Sequence, residues 1–94
     1  MSDGLSQPAF ASSTRLAWLL GQLEGELLGA LNKFPAFNSP HEGKAVIEEE
    51  LDELWEHVKA NTGYGVAAMD EAIQVAAMAL RYVHDLAEWG PTDA

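Results

Sequence analysis

The chain has 94 residues, with 15 acidic against 5 basic groups and a net charge of −10. That length makes one domain, and that charge excludes nucleic acid and anionic membranes as partners of its surface as a whole. A hydrophobic fraction of 48% is too high for a disordered acidic tail. Cysteine is absent, which removes disulfides and thiolate metal sites and fits a reducing cytosol, so a cytoplasmic location is expected. The opening MSDGLSQPAF has no basic region followed by a long apolar run, so no signal peptide is expected. No apolar run reaches the roughly 18 residues of a membrane span.

In chain order, residues 1–11 read as a loose leader, since Gly4 and Pro8 discourage regular structure. A single helical domain follows over 12–90, with a tail at 91–94. Ser12 or Ser13 caps a first helix over about 13–33. Its stripe is Leu16, Leu20, Leu23, Leu27, Leu31 and Phe34, an amphipathic spacing. Gly21, Gly25 and Gly29 recur in the same helix. Each costs about 1 kcal/mol relative to Ala, and the reading is that they let a neighbouring helix approach closely.

Pro35 ends that helix. Ser39, Pro40 and Glu42 then form a cap, a first-position proline and a capping box for a second helix over about 40–60. Ile47, Leu51, Leu54, Trp55 and Val58 make its apolar face, with Glu42, Glu49, Glu50 and Glu53 on a flank beside it. Asn61, Gly63 and Gly65 make a short turn, and a third helix runs over about 66–88 until Gly90-Pro91. It is apolar round most of its circumference, with only Asp70, Glu71, Gln74, Arg81 and Asp85 in a polar stripe. Three helices of this length do not bury such a helix in a monomer. The expected fold is therefore all-α: an antiparallel helical bundle of three main helices, completed by oligomerisation. No strand signal or internal repeat is present.

Glu50 and Glu53 on the second helix, and Glu71 and Gln74 on the third, share an i, i+3 spacing. Across a short turn the two helices run antiparallel, and Glu53 and Glu71 come level. Three carboxylates and an amide are all hard oxygen donors, which suit Mg²⁺ or Mn²⁺ rather than zinc. The same spacing also describes an acidic face left in water, and spacing alone leaves both readings open.

The run Glu49-Glu50-Leu51-Asp52-Glu53, followed after residues 54–70 by Glu71–Gln74, resembles the EExxE…ExxD pattern of MazG-like all-α NTP pyrophosphohydrolases. The resemblance covers about residues 13–88. It implies hydrolysis of a (deoxy)nucleoside triphosphate to the monophosphate and pyrophosphate by metal-activated water, in a homodimer or homotetramer. It implies Glu50, Glu53 and Glu71 as catalytic metal ligands, Gln74 at the fourth ligand position, and Glu49 as a supporting or water-activating group. Gln74 departs from the pattern: an amide still offers a carbonyl oxygen but removes one negative charge. The alternative is a non-catalytic or weakly active helical module that oligomerises or binds nucleotide.

Arg81 and Lys44 are further candidates for phosphate oxygens, and Trp55 for stacking on a base or for the core. His57 makes no ExxH with the glutamates, so the di-iron bundle signature is absent. His84 reads as a core histidine and His41 as structural. No spacing of Ser, His and Asp indicates a nucleophilic triad.

Overall fold

A computed structural model describes residues 9–89 as three helices: α1 (Ala9–Lys33), α2 (Pro40–Lys59) and α3 (Val66–Leu86), with no strand among the described residues. The all-α expectation holds. The third helix is the hub: α3 packs against both α1 and α2, while α1 and α2 make no backbone approach to each other.

The start of α2 follows the sequence signal closely. Ser39 is extended (φ −162°, ψ 161°), Pro40 follows it, and the Glu42 amide donates to Ser39 Oγ over 3.1 Å. The reciprocal arm lands one residue early: the Asn38 amide, not that of Ser39, donates to Glu42 Oε1 over 2.6 Å. After α2 the chain turns on Asn61, whose φ of 62° is the left-handed conformation that asparagine tolerates. Neither Gly63 nor Gly65 has positive φ.

Two boundaries differ from expectation. α1 begins at Ala9, so Ser12 and Ser13 lie within it and residues 9–11 belong to the helix rather than to a leader. Nothing between Ala9 and Ser13 breaks a helix, and alanine favours one. The leader's remaining residues and Gly90-Pro91 lie outside the described residues. α3 ends at Leu86, and Trp89 Nε1 donates to the His84 carbonyl at 2.9 Å just beyond it.

The glycine reading is corrected. A Cβ built on Gly21, Gly25 or Gly29 meets nothing within 4 Å, so these glycines admit no neighbour within this chain. The close approach is at Gly43 of α2, where a Cβ would fall 2.5 Å from the Tyr82 ring and 3.3 Å from Phe37.

The core is small. Ala30, Ala77 and Met78 are buried together, with Leu23, Val46 and Ile47 packed round them. Phe37 and Ala68 are also buried. By contrast Leu16, Leu20, Leu51, Val58, Met69, Leu80 and Val83 are exposed. The apolar face expected for α2 is thus largely outward. The face turned to α3 carries Gly43, Val46, Ile47, Glu50, Leu54 and His57, a helical period with Glu50 near its middle.

Arg81 fastens the α1–α2 connection to α3. Its guanidinium donates to the Pro35 carbonyl at 3.0 Å and lies 4.0 Å from the Phe37 ring centre. Asp85 accepts from the Phe37 amide at 3.0 Å and from His84 Nδ1 at 2.8 Å, with Arg81 Nε 3.6 Å away. Burial alone would raise the Asp85 carboxyl, but hydrogen bonds from His84 and the Phe37 amide and the charges of His84 and Arg81 hold it below the ordinary carboxylate range. His84 is therefore an exposed side chain braced on Asp85, not a core histidine.

Candidate metal centre

The seam between α2 and α3 brings together Glu50, Glu53 and Glu71, each with a carboxylate oxygen within 4.8 Å of the others. Successive i, i+3 positions on α2 place Glu50 and Glu53 on neighbouring turns. Antiparallel α3 sets Glu71 against them. Glu53 is exposed, while Glu50 and Glu71 are half-buried. These are the three carboxylates of the four donors that the i, i+3 spacing sets on these two helices.

Electrostatics mark the site as short of positive charge. The Glu50 carboxyl is pushed up from 4.5 to about 7, first by burial, then by the charges of Glu53 and Glu71 and a hydrogen bond with Glu71. Glu71 is raised as well, first by burial and then by its hydrogen bond with and the charge of Glu53; Glu50 and His57 act the other way. Carboxylate oxygens within 4.8 Å of one another repel unless a proton or a cation lies among them. In addition, Glu71 Oε1 is enclosed and has no hydrogen-bond partner, an arrangement that costs free energy unless something compensates it.

The donors fit a divalent ion. They are hard carboxylate oxygens, and their 4.8 Å span approaches twice a metal–oxygen distance of about 2.0–2.6 Å. The orphaned oxygen of Glu71 supplies an acceptor that no protein donor uses.

The other predicted residues divide. Glu49 is exposed on the turn beside Glu50 and, with it, borders a cavity of about 310 Å³. Phe34, Phe37, Val46, Met78 and Arg81 also line that cavity. Gln74 is half-buried, and its Nε2 donates to Glu26 Oε1 of α1. Arg81 is 6% exposed, with its guanidinium engaged by Pro35, Phe37 and Asp85 as described. Lys44 lies apart from the cavity, paired with Glu48 at 2.9 Å. Trp55 is 54% exposed and outside the core, with Lys59 Nζ 6.0 Å from its ring centre.

Four residues were given no role at the site by the sequence. Glu26 sits on another helix, and no periodicity links it to Gln74. Phe34 and Phe37 read as the end of a stripe and a loop residue. His57 lies one turn after Glu53, at i+4, and its charge bears on Glu71; that spacing was a usable signal.

Comparison of the chain with protein-family models, with characterised proteins and with solved structures yields no match.

Proposed function

We propose that the chain is a Mg²⁺-dependent nucleoside triphosphate pyrophosphohydrolase of MazG-like type, with Mn²⁺ as a substitute ion. One observation carries this reading: three carboxylates converge in a helix seam, and an enclosed oxygen among them has no partner. The EExxE…ExxQ spacing supports it.

In this mechanism Glu50, Glu53 and Glu71 would hold the ion. Bound Mg²⁺ would neutralise the triphosphate and make a water easier to deprotonate. The exposed Glu49 carboxylate, beside Glu50 at the cavity rim, is the base that would take the proton from the attacking water. The water oxygen bonds to the α-phosphorus, the bond from the α-phosphorus to the α–β bridging oxygen breaks, and pyrophosphate leaves. The cavity of about 310 Å³ beside Glu50 receives the nucleoside, with the half-exposed Phe34 ring as a stacking face.

Pyrophosphate release from a panel of NTPs and dNTPs with Mg²⁺ tests the reading. Turnover by the natural chain and its loss in Glu53→Ala are expected. No turnover on any nucleotide, with either Mg²⁺ or Mn²⁺, overturns it in favour of a non-catalytic nucleotide-binding or oligomerisation module. The feature favouring that second reading is Gln74 itself, which stands where the resembled pattern has Asp and carries no negative charge.

The working form is proposed to be a homodimer or homotetramer. Leu20 of α1 and Leu80 of α3 line a shared groove of about 590 Å³ beside Gly21, and both leucines are exposed. A second copy covering this face would explain the glycines that no helix of the same chain approaches. Light scattering should give at least twice the 10.2 kDa chain mass, and Leu80→Glu should return the chain mass. A monomeric natural chain at micromolar concentration would rule this assembly out.

A further inference from the structure

We infer that Glu26 of α1 is a positioning residue of the metal centre: its carboxylate orients the Gln74 amide so that the carbonyl oxygen is the end left for the ion. This rests on the metal-centre reading above and explains how an amide serves where the resembled pattern has Asp. The two ends of a glutamine amide are chemically opposite, one donating two hydrogens and the other only accepting. An ionised carboxylate only accepts, so it can pair with the NH₂ end alone. Gln74 Nε2 donates to Glu26 Oε1, which commits the nitrogen to α1 and frees Oε1.

The placement suits the role. Gln74 follows Glu71 by three positions on α3, so the two side chains are neighbours. Glu71 itself carries the enclosed, unpartnered oxygen. Glu26 reaches Gln74 from α1, the second helix packed on α3, whereas Glu50 and Glu53 come from α2. The α1–α3 contact is held by the Ala30, Ala77 and Leu23 cluster, one turn of α1 to either side of Glu26. Glu26 also brings to Gln74 the negative charge that Gln74 lacks. The carboxylate of the resembled pattern has in effect moved one residue outward, with the amide as intermediary.

Calorimetric titration of Mg²⁺, and separately Mn²⁺, into the full chain tests this without nucleotide. Glu50→Gln is expected to abolish binding. Glu26→Gln is expected to weaken it about tenfold, the scale for a residue supporting a ligand, because an amide at position 26 pairs with Gln74 either way round. Gln74→Leu should lose as much or more, and adding Glu26→Gln to it should cost nothing further. Unfolding temperatures measured without ion should be alike for Glu26→Gln and the natural chain, which separates positioning from a purely structural role. If Glu50→Gln abolishes binding but Glu26→Gln binds as the natural chain does, the role of Glu26 is overturned and the centre stands. If the natural chain binds neither ion, both readings fall.

Discussion

Replacement of Glu50 by Gln is expected to stabilise the ion-free protein at pH 8 while removing pyrophosphate release. The folded chain holds the Glu50 proton up to about pH 7, against 4.5 for a free carboxyl, chiefly because the group is buried and secondarily because Glu53 and Glu71 repel its charge. A carboxyl with a raised folded pKa favours folding below its unfolded value. That contribution is lost as pH rises from 4.5 through about 7. The ion-free natural chain should therefore weaken between pH 5 and pH 8, and Glu50→Gln should lack the Glu50 part of that loss, keeping only the part due to Glu71, which burial and Glu53 also raise. After discounting for partial exposure the gain at pH 8 is on the order of 1–2 kcal/mol, or roughly 5–10 °C for a domain of this size.

Mg²⁺ should restore the natural chain at pH 8, by about 2.7 kcal/mol at a hundredfold excess over the dissociation constant. It should do nothing for the variant, whose turnover should fall by about 100-fold or more. Asp85 does not confuse the experiment. Its carboxyl is held below 3.8, so its stabilisation is present above that value and is lost only in more acid solution. Thermal unfolding at pH 5, 6, 7 and 8, with and without Mg²⁺, gives the result. A Glu50→Gln protein less stable than the natural chain at pH 8, or one that keeps its turnover, would sink the account of the cluster as stored repulsion.

Helix existence was legible because apolar spacing and punctuation agree: Ser39, Pro40 and Glu42 place the start of α2, and a turn after Ala60 follows from Asn61. Helix orientation about its own axis was less legible. A wheel puts Leu51 and Val58 at the centre of the apolar face of α2 and Trp55 at its edge, yet all three are exposed and Glu50 faces α3. Hydrophobicity identifies a face that is to be covered without saying by which element, and a chain with surplus apolar surface has more than one choice. The glycines of α1 leave the same choice open, since a missing side chain permits approach but names no neighbour, and none comes from within this chain. The glutamate cluster was legible because both halves of it lie within local spacings joined by a short turn. The Glu26–Gln74 pair and the seat of Arg81 were not, because each joins residues from distant parts of the chain through side-chain donors that periodicity does not encode.

Arg81→Met is expected to cost about 3–5 kcal/mol, the scale for removing one partner of a buried ion pair. The Arg81 and Asp85 side chains are 8% and 3% exposed. Truncation strands the Asp85 carboxylate among fewer donors and leaves the Pro35 carbonyl without its guanidinium. It also removes a cation stacked 4.0 Å from Phe37. Domain stability totals about 5–15 kcal/mol, and this core contains few large buried side chains, so the variant should unfold more than about 15 °C lower or fail to fold. Lysine should not rescue it, because an ammonium does not reproduce the planar fork that meets Pro35, Phe37 and Asp85 together. Arg81→Met with Asp85→Leu should recover part of the loss, since no lone charge then remains buried. Thermal unfolding of the three proteins decides between a structural clamp and a phosphate contact. A clamp predicts collapse of Arg81→Met with partial recovery in the double variant. A phosphate contact predicts an unchanged unfolding temperature and a raised KM, and that outcome would return Arg81 to the substrate site.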